Sequence, residues 1–323
     1  MESRTKNKKG RETINKMAIR SFNGVGLAEG EDAVTELKEG WFNVAYNVKL
    51  EDGRETILKI APPQDAEILT YEMNIMRTEV NMMRLIAKNT DVKVPEVYYY
   101  DDKKDICDSD YFFMEKLKGS NYGNVKDNLT AEMNSSISKE IGQCLAKMDA
   151  IEGKEYFGYE GNPDLRGNTW REAFLKIIKA VLEDGKRKQV SLGFSYDEVY
   201  SLVEGHSHYL DSVVTPHFVH WDCWDSNVIV NDGNVTGILD FERVLWGDYL
   251  MESTFRMSNP DQVAGYGKTE FTHEETVRCK LYDAYLFLVM RIECEYRHYD
   301  TDFCEIFSSK EIGGVVKWLR END

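Results

Sequence analysis

Up to about residue 115, apolar positions mostly fall in short strand-like runs; beyond it, apolar residues mostly recur every three or four positions. Val44, Tyr46, Val48 and Leu50 point to one face of a strand, Asp52-Gly53 supplies a hairpin turn, and residues 56–60 form the returning strand. Two more strands are predicted over residues 97–100 and 111–114, with an acidic loop, 101–110, between them. One helix is expected in this half, over residues 65–88, from the apolar stripe Leu69, Met76, Val80, Met83 and Ala87. The helical period then takes over. It shows in residues 130–150 (Ile137, Ile141, Leu145, Met148), in residues 170–182 (Trp170, Phe174, Ile177, Ile178, Val181) and in the apolar run 282–290. The pattern predicts an α+β chain in two lobes. An antiparallel sheet lobe covers residues 20–115, a connection 116–119 leaves the sheet, and a larger, mostly helical lobe covers residues 120–323. Residues 1–19 are basic and are expected to be a frayed tail.

One segment of the second lobe departs from the helical pattern. Residues 220–242 read HWDCWDSNVIVNDGNVTGILDFE. His220, Asp222 and Asn227 have the spacing H-x-D-x-x-x-x-N. Two short apolar runs follow, Val228 to Val230 and Val235 to Leu239, around a turn at Asn231 to Asn234. Asp240 then interrupts an apolar run, where an unpaired buried carboxylate is costly, so a metal or cationic partner is expected. A hairpin here gathers Asp222, Asn227 and Asp240 at one end. Phosphoryl transfer needs that set: a carboxylate that takes the proton of the attacking hydroxyl, and an amide and a second carboxylate that hold metal ions.

Composition narrows the possibilities. The chain has 323 residues, long enough for two lobes with a core, and no run approaches the length of a membrane-spanning helix. The first twenty residues lack the apolar stretch of a secretion signal. The six cysteines form no C-x-x-C pair and read as free thiols, so a cytoplasmic setting is expected. Net charge is −17, with a local excess of bases in residues 1–20. An acidic body disfavours nucleic acid and anionic membranes and suits a cationic small molecule.

The 220–242 segment resembles the aminoglycoside phosphotransferase and choline kinase family, small-molecule kinases of the protein-kinase-like fold. The resemblance implies ATP (or GTP) and Mg²⁺ as cofactors and transfer to the hydroxyl of a small acceptor. It implies Asp222 as catalytic base, Asn227 and Asp240 as metal ligands, and His220 as a brace for the catalytic loop. Lys59, alone between Leu58 and Ile60, stands where that fold keeps its phosphate-binding lysine, with Glu79 as its helix partner and Glu72 as the alternative. Gly40 and Asn43 occupy the place of the Gly-rich loop. Residues 116–119 correspond to the hinge, and the backbone of Glu115 and Leu117 to the adenine contacts. Asp225, inside the catalytic loop, is the acid placed to meet a cationic substrate. Glu242 replaces the glycine of D-F-G and no A-P-E follows, which weighs against a protein kinase. An aminoglycoside is the first acceptor expected; choline, a sugar, homoserine and a macrolide stay open. Retention of Lys59, Asp222, Asn227 and Asp240 together weighs against a non-catalytic pseudokinase.

Three further patterns are rejected. Residues 259–269 imitate a P-loop but have Gln262 where glycine is needed. Gly24, Gly26 and Gly30 imitate a dinucleotide fingerprint without a preceding strand. His206 and His208 lack a third metal ligand.

Overall fold

The computed structural model describes residues 5–38, 42–153, 155–256, 259–298 and 303–322. The N-terminal lobe is built on a five-stranded antiparallel sheet in the order β1-β2-β3-β5-β4. Its strands are β1 (Val34–Leu37), β2 (Val44–Lys49), β3 (Glu55–Ile60), β4 (Val97–Asp101) and β5 (Tyr111–Glu115). Gly53 turns the β2–β3 hairpin at φ +87°, a conformation open to glycine.

Helix α1 (Arg11–Ser21) packs on this sheet, so the basic tail expected to fray is largely structured. Ile14, Met17 and Ala18 are fully buried and join Val44, Tyr46, Val48, Leu50 and Leu58 in one core cluster. The charges of the segment are also used. Arg20 pairs with Asp101 and Asp105, Lys9 pairs with Asp108, and Lys8 pairs with Glu36. The acidic loop 101–110 is thus the counter-surface of the basic segment. Ahead of α1, Thr5 Oγ1 donates to Phe42 O at 2.8 Å and Asn7 Nδ2 to Ser109 Oγ at 2.8 Å, which straps the chain across the lobe.

The helix predicted over residues 65–88 begins late, as α2 (Ile75–Asn89). Asn74 adopts a left-handed φ of +53°, which ends any helix before it, and residues Thr70–Glu72 form a separate 3₁₀ turn. Glu72 Oε2 accepts from Leu69 N at 2.7 Å and closes that turn.

The C-terminal lobe contains more strand than its helical pattern suggests. A three-stranded sheet joins β6 (Ser120–Asn121) to the hairpin β10 (Val228–Asn231) and β11 (Asn234–Ile238). A four-stranded sheet joins β7 (Phe157–Tyr159), β8 (Arg166–Gly167), β9 (His217–Val219) and β12 (Leu245–Gly247). The helices are α3 (Tyr122–Val125), α4 (Ala131–Asp149), α5 (Trp170–Arg187), α6 (Tyr196–His206), α7 (Pro260–Tyr266), α8 (His273–Arg297) and α9 (Phe303–Glu321). Trp170 and Phe174 of α5 pack against Tyr282 and Tyr285 of α8 at the centre of the largest core cluster. No helix among the described residues is long and apolar enough to cross a membrane.

The rejected patterns have ordinary explanations. Residues Pro260–Tyr266 are α7, capped by Asn259. Gly24 and Gly30 have positive φ in the turns after α1. The Nδ1 atoms of His206 and His208 meet the carbonyls of Leu202 and Gly205.

Candidate active site

The loop after β9 begins with a strained turn. Trp221 has φ +46°, a sterically costly conformation for a residue with a large side chain. Glu252, fully buried, offsets the cost: its Oε1 accepts from His220 N and its Oε2 from Trp221 N at 3.1 Å. Trp221 Nε1 donates to Arg243 O at 2.6 Å and anchors the ring. Asp222 is the next residue, with its side chain 16% exposed.

Both oxygens of Asp222 are held. Oδ1 accepts from Trp224 Nε1 at 2.5 Å, and Oδ2 lies 3.4 Å from Arg243 Nε. Burial pushes the carboxyl up to about 6, against the pull of Arg243. Asn227 Nδ2 donates to Asp222 O at 2.8 Å, which turns its amide oxygen to the other side. Leu239 N donates to Asn227 O at 2.8 Å, so the two ends of the hairpin meet. Asp240 sits directly after Leu239, again at a left-handed φ, +60°.

His220 ties these pieces together. Its ring is buried against Phe241 at 4.7 Å between centroids, and its Nε2 meets Leu239 O at 2.9 Å. Burial lowers its pKa to about 4, so the imidazole is neutral near pH 7 and donates Nε2–H to that carbonyl.

The N-terminal lobe contributes Lys59 from β3. Its Nζ lies 2.5 Å from Glu79 Oε1 on α2 and also pairs with Asp240. Burial disfavours the ammonium, but Asp240 and Glu79 outweigh it and hold Lys59 charged. Burial raises Asp240 too, yet Lys59 prevails and leaves it below the usual carboxylate range. Burial pushes Glu79 up, with Lys59 opposing. Asn43, just ahead of β2, donates Nδ2 to Glu242 Oε2 at 2.7 Å, so the nucleotide-loop end of the sheet reaches the segment after Asp240.

The structure therefore gathers Lys59, Glu79, Asp240, Asn43, Asp222, Asn227 and His220 around one cleft. Glu72 does not reach Lys59; it pairs with Arg297 instead. Asp225 pairs with Lys126 at 2.8 Å, so its charge is already offset. Glu115 ends β5, with its N–H on Glu96 O at 2.8 Å. Leu117 covers Gly237, where an added Cβ would meet Leu117 Cδ1 at 2.2 Å. Gly40 lies outside the described residues.

Several residues of the cleft have no counterpart in the sequence pattern. Arg243 contacts Asp222 and, through Nη2, Glu293 Oε1 at 3.3 Å. Its guanidinium lies over Tyr71 at 5.5 Å and Trp221 at 5.6 Å. Arg297 is fully buried and pairs with Glu72 and with Glu293. Glu293 and Asp184 are buried; Asp184 accepts from Thr70 N at 2.7 Å and pairs with Arg187. The signal for this network is weak: Glu293 and Arg297 are spaced four apart in the charged end of α8, which also describes a solvated helix edge.

The donor set suits a small hard cation. The carboxylate of Asp240, held below its usual range by Lys59, and the side-chain amide of Asn227 stand at the joined ends of the hairpin. Mg²⁺ prefers such oxygen donors and completes its shell with phosphate and water. No group of three or more His, Cys, Asp or Glu side chains among the described residues forms a metal site by itself.

Comparison with known proteins identifies the fold and the family. The chain is 17% identical to a thermostable mutant of aminoglycoside phosphotransferase APH(4)-Ia, with 94% of this chain and 98% of that one covered at TM-score 0.65. A streptomycin–ATP–APH(2″)-IIa complex is 15% identical, with 95% and 97% covered at TM-score 0.61. A Thermobifida fusca protein provisionally described as a fructosamine-3-kinase is 19% identical, with 95% and 98% covered at TM-score 0.63. Another APH(4)-Ia structure holds AMP-PNP and hygromycin B. These likenesses establish the protein-kinase-like fold. No curated protein matches the chain. A family model described as "Phosphotransferase enzyme family" matches residues 33–255, from β1 through the catalytic loop to the segment beyond Asp248. With that match over most of its length, the chain belongs to the phosphotransferase enzyme family, the small-molecule kinases of this fold.

Proposed function

We propose that this protein transfers the γ-phosphoryl group of ATP to a hydroxyl of a small cationic acceptor, with an aminoglycoside as the first choice. The observation that carries the reading is the juxtaposition of Lys59, Glu79 and Asp240 with Asp222 and Asn227. In this reading Asp222 orients the acceptor hydroxyl and takes its proton as the phosphoryl group arrives. Trp224 and Arg243 fix the carboxylate, so little reorganisation accompanies the step. Lys59 binds the nucleotide phosphates and Glu79 holds it in place. Asp240 and Asn227 would hold Mg²⁺, which neutralises phosphate charge when bound. His220 braces the loop through Leu239 and never touches the reactants. The backbone of Glu115 and Leu117 receives adenine, and Asn43 and Gly40 belong to the loop over the phosphates.

A cationic acceptor is supported by the net charge of −17. The binding of streptomycin by one structural neighbour and hygromycin B by another supports the same class. The pairing of Asp225 with Lys126 means that Asp225 meets an acceptor only if that pair opens. Among the other acceptors, the likeness to the Thermobifida fusca protein favours a glycated amine, which is also a polyol beside a cationic nitrogen.

A single assay tests the reading. ATP consumption is measured with Mg²⁺ against amino sugars, amino alcohols, fructosamines, neutral sugars and a generic protein. Turnover with an amino sugar or fructosamine is expected. Phosphorylation of the protein alone, or no turnover with any acceptor despite nucleotide binding, contradicts it.

A further inference from the structure

The turn that delivers Asp222 rests on Glu252, and Glu252 in turn meets a second acid. Asp149, the last residue of α4, is buried, and its carboxyl lies within hydrogen-bonding reach of the fully buried Glu252 carboxyl. Two neighbours fix the end of α4 there. His217 Nδ1 on β9 meets Asp149 O at 2.8 Å, and Tyr266 of α7 donates its hydroxyl to Asp149 Oδ2 at 2.7 Å. Tyr266 also stacks on Tyr249, in the segment that carries Glu252. Among the described residues no lysine or arginine pairs with either acid, and Asp248, the other acid acting on Asp149, is taken up by Arg278 at 2.7 Å.

Two carboxylates this deep cannot both be charged without a cation between them. The donors around the pair show which one holds a proton. Glu252 accepts backbone N–H groups on both oxygens, from His220 and from Trp221, as an anion does. Asp149 accepts at Oδ2, but its Oδ1 is buried and meets no donor. An acceptor left alone beside an anion is costly, whereas a hydroxyl there is satisfied by donating to Glu252. With one proton on Asp149 Oδ1, each carboxyl oxygen of the two acids has a partner. Burial pushes both carboxyls up. The charge of Glu252 takes Asp149 further, while the backbone N–H groups restrain Glu252, at about 7.

We infer that Asp149 is a positioning residue that carries a proton on Oδ1 and donates it in a hydrogen bond to Glu252, and so fixes the turn from which Asp222 projects. The consequence for Asp222 rests on the phosphotransferase reading above; the proton and its hold on the turn do not. An ionised Asp149 would repel Glu252 from the His220 and Trp221 N–H groups, and the left-handed Trp221 would lose its support. The other titratable groups around the pair are Tyr266, His217, Cys223, Asp248 and Tyr249.

The test needs neither nucleotide nor acceptor, so its failure leaves the phosphotransferase reading standing. Asp149→Asn keeps the shape of the acid and still donates, but does not titrate. A carboxyl whose folded-state value lies above its ordinary 3.8 contributes stability that is full below 3.8 and is lost as pH rises toward the folded value. Urea unfolding of both proteins from about pH 5 to about pH 7 should therefore show the unfolding constant of wild type growing, relative to that of Asp149→Asn, by up to about ten-fold per pH unit; groups common to both cancel in the ratio. A ratio independent of pH, or an Asp149→Asn chain that does not fold, means an ionised Asp149 and overturns the inference. The hold on the turn is read at Trp221, buried and next to Asp222, in protein labelled with 5-fluorotryptophan and assigned with Trp221→Phe. Its ¹⁹F resonance should stay in place in Asp149→Asn and move or broaden in Asp149→Leu, which fills the space without a donor. A side chain that only packs α4 would leave the resonance in place in both. That result, or an Asn resonance displaced as far as the Leu one, overturns the positioning role. If Asp149→Leu does not fold, the Asp149→Asn spectrum decides: a resonance in place supports the role and a displaced one overturns it.

Discussion

Asp222 has one indole donor on Oδ1 and one guanidinium near Oδ2, an environment that fixes its direction more than its charge. Replacing it with asparagine keeps the shape and removes the proton acceptor. Turnover in Asp222→Asn is therefore expected to fall by about two to four orders of magnitude, the usual scale for a positioned acid–base group. Nucleotide affinity measured by calorimetry should change little, because Asp222 addresses the acceptor. Near-normal turnover would remove this residue from the mechanism. Its ionisation gives a second expectation. Burial raises the carboxyl to about 6, and only the deprotonated form accepts a proton. Activity should thus rise with pH through an acidic limb near 6 and be flat above it until another group intervenes. A limb near 4 in a kcat/KM profile would mean that Arg243 outweighs burial. His220 works through stability. Its folded-state pKa of about 4 lies below the ordinary 6.5, so the unfolded chain binds the proton first on acidification. Its contribution is present above 6.5 and is lost as pH falls toward 4, on the order of 3 kcal/mol in all. Urea unfolding of wild type and His220→Gln at pH 7 and pH 4.5 should show their stability difference narrowing at the lower pH.

Elements in this fold are placed by close approaches as much as by periodicity. Helices α4 and α7 cross where Gly142 and Gly265 let backbone meet backbone. A Cβ on Gly142 would lie 2.0 Å from Gln262 O, and one on Gly265 would lie 2.1 Å from Lys139 O. Neither obstacle is a flexible side-chain tip, so Gly142→Ala is expected to cost about 1–3 kcal/mol, as overpacking does, read as a lower melting temperature. A melting temperature equal to wild type would mean that α7 moves aside without cost. The same distinction explains what the sequence reveals. Strands β2 to β5 are legible as short apolar or aromatic runs set off by turn and loop residues, and helices α4 and α5 because each buries one face, which writes the period into the chain. The catalytic hairpin is legible because its chemistry is contiguous, from His220 to Asp240. The start of α2 is not, because a single left-handed Asn74 overrides a stripe that continues through it. Glu72 and Glu79 share a helix edge in projection, and only that break sends one to Arg297 and the other to Lys59. Strands β7, β8, β9 and β12 are two or three residues long, too short to show alternation. Helix α1 is hidden among basic residues, two of which, Arg20 in the helix and Lys9 just ahead of it, find partners 81 and 99 positions away in the loop 101–110.

Charge is a property of the whole molecule. The net −17 includes the basic N-terminal segment, and its cations Lys8, Lys9 and Arg20 are already matched by Glu36, Asp108, Asp101 and Asp105. That segment therefore offers little attraction to anions, while the rest of the chain stays acidic. An approaching cation is drawn by this field, and an exposed field is screened over a Debye length of about 8 Å at physiological ionic strength. If the acceptor is an amino sugar or another amine, raising ionic strength from about 0.05 to about 0.5 M should raise its KM by roughly three- to ten-fold, with kcat nearly constant. A neutral polyol taken as a comparison acceptor should show no such trend. The competing account is that the acidity serves only solubility. It predicts salt-independent KM values and phosphorylation of neutral or anionic compounds in preference to cationic ones. In that outcome the cationic-acceptor proposal fails while the phosphotransferase chemistry stands, because the arrangement of Lys59, Asp222, Asn227 and Asp240 does not depend on the surface field.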